Sequence, residues 1–229
     1  MKKEKRNYQN SYPSVTQALG VLRKVGLEQW FLSNTRAYCE AESKKAKQAG
    51  TDIHTAIQQY IEKGIAKVES MHAEEVSNAL NSFILFRREN PKILLSLSEV
   101  PLTSEFYGYN GTIDAPHPPM LCDWKGGTAK DKDKPPIHDE YLAQASAYVY
   151  LWNETHINER INEVYIVALA KDKVAYNIHY MDVFQIEQCF NDVFLPALKI
   201  YNWQKRNKRK EPLNDSVPNG HVQRANPKN

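Results

Sequence analysis

Gly111-Thr112-Ile113-Asp114 and Asp123-Trp124-Lys125 stand on either side of a turn carrying Pro118-Pro119, and this arrangement limits the chain more than any other feature. Proline has no amide proton to give a ladder, so the pair belongs at a hairpin tip. A symmetric register then sets Asp114 opposite Asp123, where Cβ atoms stand about 5 Å apart and like charges repel. Something has to neutralise them. Two converging carboxylates suit Mg²⁺ or Mn²⁺, hard cations that take oxygen ligands and keep several waters. Side chains alternate along a strand, so Lys125 shares the face of Asp123 while Trp124 turns away. A surface Asp–Lys salt bridge, worth little to stability, is the other reading that these residues leave open.

Composition narrows the class. With 229 residues and 41% hydrophobic content, the chain can bury a sizeable core as one large domain. A net charge of +3 is too mild to define a nucleic-acid partner, although 30 Lys and Arg against 27 Asp and Glu leave room for a local basic surface. Cys39, Cys122 and Cys189 are odd in number and far apart, which argues against a disulfide framework and against a C-x-x-C metal motif. A reducing, cytoplasmic compartment fits. No apolar run approaches the roughly 20 residues of a membrane span, and the opening MKKEKRN leads into polar residues rather than a signal core.

The hydrophobic pattern divides the chain into helical and extended parts. Residues 1–11 are polar without periodicity and read as a disordered N-terminus. Ser14 followed by Gln17 has capping-box spacing, and Val15, Ala18, Leu19 and Leu22 recur at helical intervals. The spacing predicts further helices over 29–48, from Gly50 along the Ile53, Ile57, Ile61 and Ile65 stripe, and over 72–89 before Pro91. After Pro91 the period changes: 93–102, 106–115 and 120–125 read as strands, as do 163–170 and 174–180. A helix over 138–153 carries Gln144 and Tyr148 on a shared face, and another runs from about 183 to 207. The division is therefore a helical region at 12–90, a core at 91–205 and a basic, disordered tail at 206–229.

The segments Ser11-Tyr12-Pro13-Ser14-Val15-Thr16, Gly50-Thr51-Asp52-Ile53-His54, Gly111 to Asp114, Asp123 to Lys125 and Gln144 to Tyr148 resemble, in this order, the PD-(D/E)XK nuclease superfamily. The likeness is to its RecB-like exonuclease branch, and within that to the mitochondrial genome maintenance exonuclease group with its bacterial and phage relatives. The resemblance implies an α/β fold with a restriction-endonuclease-like core, a mixed central sheet of about five strands flanked by helices. It implies a Mg²⁺- or Mn²⁺-dependent deoxyribonuclease acting as an exonuclease, in DNA replication, recombination or repair, with proteins of those processes as possible partners and a bacterial or phage-infected cell as the setting. Asp114 and Asp123 then bind the ion and Lys125 orients or activates the attacking water, so that these three are the catalytic residues. His54 joins Asp114 and Asp123 as a metal residue. Gln144 and Tyr148 match a Q-x-x-x-Y motif that supports the site and contacts the strand. The chain departs from the family in Gly126-Gly127, where Thr and Ser are common, although backbone amides of a Gly pair can approach a phosphate closely. Iron-sulfur members use four cysteines, and the three here stand at other positions, so no cluster is expected.

Several residues carry a plainer reading beside the functional one. On periodicity His54 is a satisfied histidine flanking the isoleucine stripe, and only the resemblance moves it to the metal. Glu99 reads as a solvent-facing strand glutamate outside the ligand set. Tyr148 and Trp152 read as core aromatics. Lys130 and Lys134, in a run of alternating sign, are either a solvated loop or phosphate contacts. The stretch Lys205 to Lys210 either grips nucleic acid or solubilises the tail. The expected substrate is single-stranded DNA or frayed ends. A non-cleaving nucleic-acid-binding module and a structure-specific endonuclease are the alternatives.

Overall fold

Proline at position 91 marks the change from helices to strands, and the computed structural model describes residues 12–208 apart from positions 23, 69, 97 and 131. Residues 1–11 and 209–229, expected to be disordered ends, lie outside the described residues, as do Ser11 of the first motif and Arg209 and Lys210 of the basic stretch. Four helices come first: α1 (Val15–Leu19), α2 (Val25–Ser33), α3 (Arg36–Lys63) and α4 (Ala73–Glu89). The Ser14 hydroxyl accepts from Gln17 N and the Gln17 side chain accepts from Ser14 N, so the capping box is present. The expected break at Gly50 is absent. α3 is one helix of 28 residues, opened by the Thr35 cap and closed by Gly64 at φ 71. One glycine costs a helix about 1 kcal/mol, less than is returned by burying Ile53, Ala56 and Ile57 on the far side of it. Because α3 stops at Lys63, Ile65 leaves the stripe and is exposed.

The strands follow in two sheets. β1 (Val100–Ser104) pairs antiparallel with β2 (Tyr109–Ile113), and β3 (Ala115–His117), β4 (Met120–Gly127), β5 (Glu163–Ala170) and β6 (Tyr176–Met181) form a second sheet in that order. β4 and β5 run parallel, with α5 (Asp139–Thr155) carrying the chain across, while the other neighbours are antiparallel. Two strand readings change. The segment expected as one strand over 106–115 is divided, since the chain changes partner at Asp114, and the strand expected from Ile93 begins only at Val100. Ile93 is instead a buried anchor in the loop after α4. The last helical segment comprises α6 (Val183–Cys189), a π turn over Phe190–Phe194 and α7 (Leu195–Lys208), which takes in the start of the stretch read as tail.

Both faces of the four-stranded sheet are covered, as parallel pairing usually demands. Leu121, Val164 and Ile166 pack with α1, α5, α6 and the π turn through Leu19, Trp152, Ile186 and Phe190. Cys122, Trp124, Val167 and Leu169 pack against α3 and α4 through Ile53, Ile57, Phe83 and Phe86. The alternation along β4 therefore sends Trp124 to the α3–α4 side, where its ring meets Phe83 at 5.1 Å and Phe86 at 6.0 Å, both edge to face. Asp123 and Lys125 face the other way, toward α5. No helix among the described residues is long and apolar enough to cross a membrane. Trp124→Ala is expected to cost about 3–5 kcal/mol in urea unfolding, and a loss below about 1 kcal/mol would contradict this packing.

Candidate metal centre and active site

Pro118 and Pro119 lie between β3 and β4, whose register pairs His117 with Met120 and Ala115 with Cys122. Continued by one residue, that register sets Asp114 across from Asp123. The β1–β2 ladder pairs Val100 with Ile113, and its continuation sets Glu99 across from Asp114. Three carboxyl side chains thus fall in one row across neighbouring segments. Two backbone features hold the row. Glu99 N donates to Asp114 O at 2.9 Å, and Glu99 takes φ 54, a left-handed conformation uncommon outside glycine. Trp124 N donates to Asp114 Oδ2 at 2.7 Å.

His54 comes to this row from α3. Its Nδ1 lies 3.1 Å from Glu99 Oε1 and 3.3 Å from Asp114 Oδ1. One donor atom from each of His54, Glu99 and Asp114 falls within 4.8 Å of the others. Asp123 is fully buried, with Lys125 Nζ 2.6 Å from its Oδ2. That contact is an ion pair without hydrogen-bond geometry, and neither Asp123 oxygen has a hydrogen-bond partner. Lys125 Nζ also stands 5.5 Å from the centroid of the Tyr141 ring.

The charges settle one another. Burial pushes the Asp123 carboxyl up to about 6 against the pull of Lys125, and the charge of Asp114 adds to the rise. Asp114 is buried as well, which alone would raise it, yet the charge and hydrogen bond of His54, with Lys125 and the Trp124 N–H, hold it below the usual carboxylate value. Burial disfavours the His54 cation, but the charge of Asp114 and the hydrogen bonds that His54 donates to Asp114 and Glu99 outweigh it and raise His54 to about 10. Burial likewise opposes the Lys125 ammonium, and Asp123 and Asp114 overcome it, so Lys125 stays protonated above its usual range. Two cations therefore face three carboxyls.

The donor set fits a hard divalent cation. One imidazole and two carboxylates converge, and the neighbouring Asp123, whose Oδ2 is taken by Lys125, keeps a buried Oδ1 without a partner among the described residues, a leftover of the kind a bound cation satisfies. His54 and Asp114, both placed in the ligand set by the sequence reading, are neighbours here. Glu99, left outside the ligand set by the sequence reading, offers the third donor of their group, and Asp123 stands beside it, paired with Lys125. The signal for Glu99 is the turn between β1 and β2, because a symmetric register about it aligns Glu99 with Asp114 just as the proline turn aligns Asp123.

The supporting residues divide. Gln144 Nε2 donates to Tyr148 OH at 2.8 Å, and the buried Tyr148 ring lies over Gly111, where an added Cβ would come within 2.7 Å of Tyr148 Cε1. That close approach is why position 111 is glycine. Lys130 and Lys134 are exposed, and no contact among the described residues joins their ammonium groups to the cluster. Their loop is held instead through backbone, with Ala129 N and Lys130 N each donating to the Asp172 carboxylate at 2.9 Å. Gly126 and Gly127 lie in β4 beside β5, and a Cβ at either would stand 3.1 Å from Ile53 Cδ1 or 3.2 Å from Pro135 Cβ. A side chain at either position would need Ile53 or Pro135 to give by a few tenths of an ångström.

No family model matches the chain, and no curated protein matches it. Among solved structures it is similar to a Eubacterium rectale protein provisionally described as an exonuclease, with 13% identity, a TM-score of 0.51 and coverage of 95% of this chain and 97% of that one. A phage-related exonuclease from Haemophilus somnus aligns more loosely, with 10% identity, a TM-score of 0.40 and coverage of 88% and 98%. An alkaline exonuclease from Laribacter hongkongensis has 14% identity, a TM-score of 0.34 and coverage of 70% and 85%. The first of these shares the fold, the mixed α/β architecture of a restriction-endonuclease-like core.

Calorimetric titration with Mn²⁺ is expected to show binding to the unaltered protein, a roughly 10- to 100-fold weaker affinity in Glu99→Gln and none in Asp114→Asn. Equal affinity in all three would remove the centre. The pH response follows from His54, whose folded value lies above its ordinary one. The stabilisation it draws from its acidic partners is complete below pH 6.5 and is lost as pH climbs to about 10. Metal-free protein is expected to lose stability across that window, and His54→Gln to flatten the loss. Urea midpoints that fall equally in both proteins would contradict the ion pair.

Proposed function

We propose that this chain is a Mg²⁺- or Mn²⁺-dependent deoxyribonuclease that removes nucleotides from DNA ends, acting on single-stranded or frayed DNA during replication, recombination or repair. The observation that carries the reading is the buried Asp123–Lys125 pair set beside the His54–Glu99–Asp114 donor group. The sequence resemblance to RecB-like nucleases and the fold shared with the Eubacterium rectale protein support it. His54, Glu99 and Asp114, with Asp123 adjoining, would hold the divalent cation, which when bound would supply Lewis-acid polarisation of the scissile phosphate and a lowered pKa for bound water.

The chain's own residues do the rest. Asp123 and Asp114 hold Lys125 protonated in the metal-free site, and it serves there as a fixed positive charge. Aimed at the phosphate, it stabilises the negative charge that grows as the bond breaks. Asp123 fixes that ammonium through Oδ2 and has Oδ1 left for the cation. Tyr148, seated on Gly111 and bonded to Gln144, keeps the strand before Asp114 in place. The row of acids would repel the scissile phosphate without a bound cation, which ties placement of the cleaved linkage, though not the grip on the rest of the strand, to metal.

End-labelled linear single-stranded DNA incubated with Mn²⁺ is expected to shorten from an end, closed circles to survive, and EDTA to stop the reaction. Lys125→Ala is expected to lower kcat by about 10²–10³-fold while the protein stays folded. Full activity in that variant, or no product with any divalent metal, would contradict the assignment, and cut circles would replace the exonuclease by an endonuclease.

A further inference from the structure

Helix α3 presents two stripes to its surroundings. Ala49, Ile53, Ala56 and Ile57 are buried in the core. The second stripe, Lys47, Gly50, Thr51, His54 and Gln58, repeats at the spacing that places side chains along one helix face. Together with Glu99 it lines a cavity of about 410 Å³. His54 and Glu99 belong to the donor group, so the cavity opens directly from the candidate centre. Lys47 stands at its other end, seven residues and so about 10 Å along the helix from His54. The Lys47 side chain is exposed and has no hydrogen bond or ion pair among the described residues.

Gly50 has no reason in packing. An added Cβ there meets no atom within 4 Å, and its backbone is not in the left-handed region. Glycine in a helix interior is weaker than alanine, and here no neighbour requires the missing side chain. What its absence leaves is bare helix backbone in the wall of the cavity, between Lys47 and His54.

We propose that this groove seats the nucleic acid strand next to the cleaved linkage, with the Lys47 ammonium pairing with a backbone phosphate and Gly50 letting the sugar–phosphate chain lie against the helix. The inference rests on the nuclease reading above and adds the path by which the strand reaches the centre. The grip is on phosphate, so it carries no base preference. At the inner end Glu99 is paired with His54, so Lys47 at the outer end is the cation left unpaired among the described residues and the hold that needs no metal.

The test is fluorescence anisotropy of a labelled single-stranded oligothymidylate in EDTA, which measures grip without cutting. Lys47→Ala is expected to reduce the slope of log affinity against log salt by about 0.7–1. Gly50→Ala is expected to raise the thermal midpoint by a few degrees and yet weaken binding, and Gly50→Leu to weaken it roughly tenfold. Stability and affinity moving in opposite directions is what a purely structural glycine would not give. Wild-type affinity and salt slope in Lys47→Ala and in folded Gly50→Leu would overturn the groove. If the unaltered protein binds the strand in this pattern but yields no product with any divalent metal, the nuclease reading falls while the groove stands. Product formation with binding unaltered in both variants sinks the groove alone.

Discussion

Glu99, Asp114 and Asp123 occupy one row across three neighbouring segments, and the cost of holding those charges together governs the rest of the site. At an effective dielectric of about 20, two charges 5 Å apart repel by about 3 kcal/mol, far more than an exposed ion pair contributes. The chain meets this cost with His54 from α3 and Lys125 from β4, drawn to 3.1 and 2.6 Å from their acids. Each partner is brought by a different element, so the site is where the two halves of the chain are joined. Removing an acid leaves a buried cation unmatched, and removing a cation leaves the acids to repel. Such a balance suits a divalent ion, which His54 as neutral imidazole, together with Glu99 and Asp114, would hold.

The surroundings of the row follow from strand alternation. Trp124 and Cys122 face α3 and α4 while Leu121, Asp123 and Lys125 face α5, so one strand both anchors a core and presents the chemistry. The Trp124 amide, fixed by that anchoring, donates to Asp114, and this couples the packing of the core to the position of a carboxylate. α3 does the same from its own side, with Ile53 in the core and His54 in the site. A core substitution beneath either strand or helix should therefore be felt at the centre.

The part of the site nearest the proline turn is legible in the sequence, because Pro118-Pro119 fixes a tip and the register about it follows by counting. Glu99 is harder to read, since strands taken over 93–102 and 106–115 misplace the turn between β1 and β2 whose register sets Glu99 across from Asp114. Gly50 misleads for a related reason. A glycine that follows a largely polar run resembles a helix end, whereas burial of Ala49, Ile53 and Ile57 on both sides carries α3 through it. Gly111 is explained only in three dimensions, by the ring of Tyr148. Of the residues assigned on resemblance, His54, Asp114, Asp123 and Lys125 do converge, and Lys130 and Lys134 stay outside because Asp172 holds their loop by its backbone. The order of the helices and of β4, β5 and β6 is legible from periodicity, while the change of partner at Asp114 is a tertiary event that no local pattern records.

A crystal grown with Mn²⁺ and measured for anomalous scattering tests the central claim most directly. The account predicts one strong peak within bonding distance of His54, Glu99 and Asp114 and beside Asp123, with the His54–Glu99 hydrogen bond replaced by metal ligation. Density showing the histidine still paired to its acids, with manganese only at surface carboxylates, would contradict it.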